Sequence, residues 1–273
     1  MPEGPEIRLA ADRLHRVLSG NRIVAASFTP HRLRHAKRRI EGQKVRRVTC
    51  HGKAMLTEFD CGVTLYSHNQ LYGIWQIRER GETPKTNRSL RVALHTEQHS
   101  ARLYSATDIE LWPTARLDEH PFLSKLGPDV LDPLLTAAKI AGRLQHESFR
   151  KRALGSLYLD QSFIAGIGNY LRSEILFQAK LAPTARPMDL TRRNLQRLAR
   201  ATLAVSQRSY RTHGLTVTPT TRKKITELDS DFAKTRFAVF AREHRPCVNC
   251  STPIEKDQFT ARRLYWCPVC QPG

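Results

Sequence analysis

Four cysteines carry the clearest chemistry in this chain. Cys247 and Cys250 form one C-x2-C pair and Cys267 and Cys270 a second, with sixteen residues between the pairs. Each pair lets a tight turn offer two thiolates to one ion, and two such turns complete a tetrahedral site of four thiolates. A redox role for one pair would not need the other. Four thiolates leave no open coordination position, so the expected cofactor is one structural Zn2+, with no organic cofactor beside it. A module this small has no core of its own, and the metal is expected to hold it folded. The run FTARRLYW between the pairs reads as a β-hairpin. Arg262 and Arg263 lie near its tip, where two arginines can contact phosphates. Cys50 and Cys61 are left over and read as small residues in or near the core.

The other end of the chain offers a nucleophile. A small second residue permits removal of Met1, and Pro2 then carries a secondary α-amine. An α-amine titrates near pH ~8, so a useful share is unprotonated at neutral pH. Such an amine can attack an electrophilic carbon and form an iminium, the logic of covalent catalysis. Taken alone, Pro2 reads first as a helix cap. A third feature is Gly166-Ile167-Gly168 followed by Asn169 at the start of a helix. Glycines there let backbone approach a phosphate, and a helix N-terminus favours an anion.

These residues must be positioned by elements of two kinds. Ile7, Ala10, Ala11, Leu14, Val17 and Leu18 recur at helical spacing after Gly4-Pro5, and Gly20-Asn21 ends the pattern. From about residue 22 to 115 the pattern turns to strands. Leu90, Val92 and Leu94 alternate in SLRVALHT, and KAMLTEF and GIWQIR are similar short segments, which predicts an antiparallel sandwich or barrel. Gly127-Pro128-Asp129 and Asp132-Pro133 interrupt it, as a linker would. Helices follow: Leu171, Ile175 and Ala179 share one face, and Leu195, Leu198, Ala199 and Thr202 share another. Residues 213–236 are polar, basic and Thr-rich and read as a weakly ordered loop.

Charge narrows the partner. Forty-five Lys and Arg against 25 Asp and Glu give a net charge of +20 in 273 residues. Such an excess points to a polyanion, above all nucleic acid. No long basic amphipathic helix supports a membrane surface instead. MPEGPEIRLAADRLHR holds no apolar run for a signal peptide, and no stretch is long enough to span a bilayer. A cytoplasmic location with reduced thiols is therefore expected, which agrees with metal-binding rather than disulfide-bonded cysteines.

The ordered set of PEGPE at 2–6, a lysine in HGKAML, QSFIAGIGNYLRSEILF and the C-terminal four-cysteine module resembles the formamidopyrimidine-DNA glycosylase and endonuclease VIII family. The resemblance runs over essentially the whole chain. It implies that Pro2 attacks the sugar C1′ and that Glu3 is the general acid/base beside it, kept protonated by burial. It implies that Lys53 is a phosphate contact and proton donor near the sugar. Arg262, five residues before Cys267, is implied to grip the lesion phosphates and assist a second elimination. Asn169 is implied to bind the DNA backbone. Lys125 stands where an arginine would be usual, which keeps the charge but loses bidentate geometry. Gln70, Leu71 and Tyr72 are contiguous, similar to the wedge of the endonuclease VIII branch, which fills the gap left by an extruded base. The plain alternative is a Leu-Tyr core pair in a strand, but Asn69 and Gly73 on either side favour a loop.

The fold expected is α+β: an N-terminal β-sandwich domain with flanking helices over residues 1–126, a linker at 127–133, a helical domain with a helix–two-turn–helix at 134–240, and a four-cysteine zinc-finger β-hairpin at 241–273. The resemblance implies a monomeric bacterial enzyme acting on double-stranded DNA that holds a damaged base or an abasic site. It would excise oxidised pyrimidines and nick the strand by β,δ-elimination, the two domains flanking a basic cleft. Two rivals stand beside it: the same chemistry aimed at 8-oxoguanine or formamidopyrimidine, and a non-catalytic DNA-binding zinc protein.

Overall fold

The structure is a computed structural model that describes residues 2–228, 234–259 and 261–272. The chain divides into two units. One holds Pro2 and Glu6–Lys125, the other Glu3–Pro5 and the chain from Leu126 onward.

The first unit is built on helix α1 (Gly4–Leu18) and two antiparallel four-stranded sheets. Strands β2 (Val45–His51), β3 (Ala54–Phe59), β4 (Val63–His68) and β8 (Asp108–Pro113) form one sheet in that order. The other runs β1 (Ala25–Phe28), β6 (Leu90–His95), β7 (His99–Tyr104) and β5 (Ile74–Glu79). Residues from both sheets enter one core: Val48, Met55, Phe59 and Leu65 meet Val92, Leu94, Ala101 and Leu103. That shared core makes the pair a sandwich and decides against a barrel. Helix α1 adds Ile7, Ala11, Leu14 and Leu18 to it, the stripe its spacing predicts. The short helix α2 (Ala36–Ile40) adds Ala36 and Ile40. Cys61 departs from expectation: it is exposed in the turn between β3 and β4, while Cys50 is half-buried.

In the second unit, helices α3 (Ala137–Gln145), α4 (Glu147–Arg150), α5 (Leu154–Leu157), α6 (Asn169–Ala179) and α7 (Arg192–Arg211) surround one core. Leu171, Ile175 and Ala179 of α6 and Leu195, Leu198 and Ala199 of α7 all lie in it. Thr191 caps α7 by accepting from the Asn194 N–H. Residues 127–133 belong to this unit's fabric: Val130 is in the core, its N–H donates to Ala165 O, and the Ala165 N–H donates to Pro128 O. The hairpin of β9 (Glu255–Phe259) and β10 (Arg262–Trp266) packs with Phe177, Val217, Ile225 and Cys247 in a second core.

The loop expected over 213–236 is corrected by helix α8 (Pro219–Leu228). Thr218 Oγ1 accepts from the Thr221 N–H, and Pro219 suits a first helical turn. One apolar residue, Ile225, is fully buried. A polar composition hides a helix that rests on a cap and a single anchor. Residues 229–233 of that segment lie outside the described residues.

Candidate active site

Glu3 is the best-positioned of the expected residues. It is 3 % exposed, and its carboxylate sits on the N-terminus of α6. Oε2 accepts from the N–H groups of Gly168 at 2.8 Å and Leu171 at 3.2 Å, and Oε1 from that of Tyr170 at 2.9 Å. Gly168 is the residue before the helix and brings no capping side chain. Glu3 supplies the cap from the far end of the chain. The geometry explains the glycine: a Cβ at Gly168 would lie 2.4 Å from the Glu3 carboxyl carbon. Gly4 is held alongside, its N–H donating to Gly166 O at 2.7 Å. Burial disfavours the charged form of Glu3. Three N–H donors and a helix N-terminus act on the same group, and both favour the carboxylate. Gly168 makes room for a protein carboxylate. Asn169 is the first residue of α6 and is half-buried, one residue from this cap.

Behind Glu3, three consecutive polar residues of α6 are buried, and the sequence pattern did not single out any of them. The Arg172 guanidinium donates to the carbonyls of Gly155, Arg262 and Arg263. Burial pushes its pKa down to about 10, the nearby Glu3 charge opposes that, and Arg262 adds to it. Arg172 therefore stays charged at neutral pH. Ser173 Oγ accepts from the Tyr265 N–H at 3.2 Å. Glu174 accepts from the N–H groups of Ala238, Val239 and Phe240 and from Thr216 Oγ1. The hairpin is thus tied to α6 by backbone bonds at Arg262, Arg263 and Tyr265. On α5, Gly155 leaves room for the Phe259 ring, which a Cβ would meet at 2.8 Å. The side chains of Arg262 and Arg263 are exposed. The available signal was LRSEILF, a charged triplet inside an apolar helix.

Cys247, Cys250, Cys267 and Cys270 converge, their sulfurs all within 4.8 Å of one another. Closer pairs are Cys250–Cys267 at 3.5 Å and Cys247–Cys270 at 3.8 Å. Thiolates about 2.3 Å from a tetrahedral zinc would stand roughly 3.8 Å apart, so the spacing and the donor set fit that ion.

In the first unit, Pro2 is half-buried and Lys53 occupies the turn between β2 and β3. Lys53 lies close enough to His68 for its charge to help lower the imidazole pKa. Gln70, Leu71 and Tyr72 form a turn between β4 and β5. The Gly73 N–H closes it on Asn69 O at 2.7 Å, and a Cβ at Gly73 would sit 2.5 Å from that oxygen. Leu71 and Tyr72 are 56% and 70% exposed, which rules out the core pair. Lys125 is exposed at the end of a short 3-10 turn, Leu123–Lys125. His120 Nδ1 accepts from the N–H groups of Phe122 and Leu123 just before it.

Residues 1–108 match the formamidopyrimidine-DNA glycosylase N-terminal domain, and residues 126–221 match the formamidopyrimidine-DNA glycosylase H2TH domain. Endonuclease 8 of Escherichia coli O17:K52:H18 is 45% identical over 271 residues, covering 99% of this chain and 100% of the relative. Endonuclease 8 of Salmonella arizonae is 44% identical with the same coverage. The chain belongs to the formamidopyrimidine-DNA glycosylase family. Solved structures of lower identity share the fold. Lactococcus lactis formamidopyrimidine-DNA glycosylase bound to DNA with an abasic site superposes with a TM-score of 0.81 at 19% identity, over 99% of this chain and 100% of that one. MutM in complex with DNA containing carbocyclic 8-oxoguanine gives 0.82 at 19%, over 100% of both chains. In this member of the glycosylase family, the buried Arg172 and Ser173 hold the hairpin on the H2TH unit, and Glu174 holds the 238–240 segment ahead of it.

Proposed function

We propose that this protein is a bifunctional DNA glycosylase and abasic-site lyase of base excision repair, acting on oxidised pyrimidines of the thymine glycol type. One observation carries the reading: a buried carboxylate seated on a helix N-terminus, next to Pro2, in a chain 45% identical along its whole length to an Endonuclease 8.

With Met1 removed, the Pro2 amine attacks C1′ of the damaged nucleotide. The N-glycosidic bond breaks and the base leaves with its electron pair, protonated on departure. The Glu3 carboxylate takes the proton from the attacking nitrogen and hands it to O4′ as the sugar ring opens. The iminium on Pro2 draws electrons from C2′, whose proton is lost as the 3′ C–O bond breaks. A second elimination breaks the 5′ C–O bond and leaves a one-nucleotide gap with phosphate ends. Electrostatic stabilisation of the phosphates falls to Lys53 and Arg262, with Asn169 and Lys125 as backbone contacts. Gln70, Leu71 and Tyr72 fill the stack after extrusion; the exposed Leu71 and Tyr72 suit that task. Zinc held by Cys247, Cys250, Cys267 and Cys270 supplies structure to the hairpin bearing Arg262, and no chemistry. In this reading the enzyme works as a monomer in the bacterial cytoplasm.

Cleavage of duplexes carrying thymine glycol or 8-oxoguanine, with end-group analysis, tests it. Cleavage preferring thymine glycol and leaving phosphate on both ends is expected. Preference for 8-oxoguanine would move the protein to the purine-directed reading. Binding without cleavage of either duplex would leave only a DNA-binding protein.

A further inference from the structure

The wedge turn needs something to hold it. Gln70 has φ 50, in the left-handed region where a residue with a side chain does not rest by default. Its N–H donates to His68 Nδ1 at 3.1 Å. Its Oε1 accepts from Thr107 Oγ1 at 2.6 Å, and Arg32 in turn donates to Thr107 O and Ile109 O. The His68 bond has the geometry of an Asx turn, in which a side-chain acceptor captures the N–H two residues on. The same device recurs at His120 with Phe122 and at His146 with Ser148. His68 is itself braced: its ring stands edge-on to Phe122, centroids 5.6 Å apart, and Phe122 stands edge-on to Tyr66. Tyr66 donates to Asp108 Oδ2.

We propose that His68 is a positioning residue of the wedge, fixing the left-handed conformation of Gln70 by accepting its N–H at Nδ1. The inference rests on the reading of Gln70, Leu71 and Tyr72 as the wedge. Direct contact of the imidazole with the reacting atoms is no part of it. The acceptor must be an unprotonated ring nitrogen at the position an Asn side chain would place its oxygen. Asn at 68 should therefore do the same work, and Ala should not.

The test uses the full chain as wild type, His68→Ala and His68→Asn, with two readouts. Hydrogen exchange of the Gln70 amide needs no DNA. Protection is expected in wild type and His68→Asn and its loss in His68→Ala; equal protection in all three would overturn the proposal. The second readout compares base excision from a thymine glycol duplex with lyase action on a single-stranded abasic oligonucleotide, which has no stack to fill. His68→Ala should lose about fivefold to tenfold on the duplex, the size of one hydrogen bond, and keep its rate on the single strand. His68→Asn should recover most of the duplex rate. An equal loss on both substrates, or no recovery with Asn, would overturn the positioning role. Wild-type protein inert on both substrates would sink the enzyme reading instead, and the exchange result would still decide the role of His68.

Discussion

At the scale of single residues, the proposed chemistry turns on Glu3 and the glycine that admits it. Gly168→Ala places a methyl group 2.4 Å from the Glu3 carboxyl carbon, and something must shift. The expected result is a fall in base excision of about tenfold or more, since about 1.4 kcal/mol suffices for that. The melting temperature should fall too, because the cap of α6 is disturbed; unchanged excision would mean that Glu3 need not sit there. Glu3→Gln keeps the shape but turns one acceptor into a donor facing backbone N–H groups. Lost proton transfer should cost about 10²–10⁴ in rate, measured by single-turnover excision at saturating enzyme. His68 gives a pH prediction. Burial lowers its pKa below the ordinary value of about 6.5, Lys53 adds to this, and Asp108 opposes it. The native imidazole sheds its proton more readily than the unfolded chain's. Its contribution to stability is thus present above about pH 6.5 and is lost as pH falls through the lower native value. The urea midpoint of wild type should drop more than that of His68→Asn between about pH 7.5 and pH 5.5. Residues of this kind are half legible. The types at Pro2, Glu3 and Gly168 are in the sequence, but that Glu3 reaches a helix at the other end of a 165-residue separation is a tertiary fact.

At the scale of elements, α6 is the bracket on which the proposed chemistry hangs. Its N-terminus holds Glu3, and its buried Arg172, Ser173 and Glu174 hold the hairpin and the 238–240 segment. Arg172→Leu removes donors to three carbonyls, one of them on the buried Gly155. A destabilisation of about 3 kcal/mol is expected, with each orphaned group costing about 1–3 kcal/mol. The telling readout is the ratio of β- to β,δ-elimination products. Loosening the hairpin under Arg262 should shift it toward β-elimination alone, and Arg172→Lys should not restore it, because one ammonium cannot span those carbonyls. Chelating the metal should act on the same element and give the same product shift. The sequence carried this architecture unevenly. Helical spacing marked α1, and the cysteine spacing marked the finger, because both are local patterns. Helix α8 escaped because it buries one residue, Ile225, and depends on the Thr218 cap. The triplet in α6 escaped because periodicity finds apolar faces, whereas this helix is buried from Tyr170 to Phe177 and satisfies its charges with partners distant in sequence.

At the scale of the whole molecule, charge is the dominant fact. A net +20 makes binding to a polyanion depend on counterion release. An interface with about six to ten phosphate contacts should lose about 10³–10⁵ in affinity between about 50 and 200 mM salt. Anisotropy titrations on a labelled lesion duplex measure this, and a fall below about tenfold would mean few of the basic residues touch DNA. The residues of the proposed chemistry fall in both units: Pro2, Lys53, Lys125 and the proposed wedge in the first, and Glu3, Asn169, Arg262 and the four cysteines in the second. The boundary falls between Lys125 and Leu126, ahead of Gly127 and Pro128, whose backbone bonds already serve the second unit.

The proposed chemistry stands or falls with the Pro2 amine as nucleophile. Borohydride reduction during reaction with a thymine glycol duplex, followed by mass spectrometry of the digested adduct, reads this out. A stable protein–DNA species is expected, with the sugar mass on the N-terminal peptide at the Pro2 nitrogen, and none when Pro2 is replaced. An adduct on Lys53 or another lysine, or strand cleavage at full rate with Pro2 replaced, would refute it.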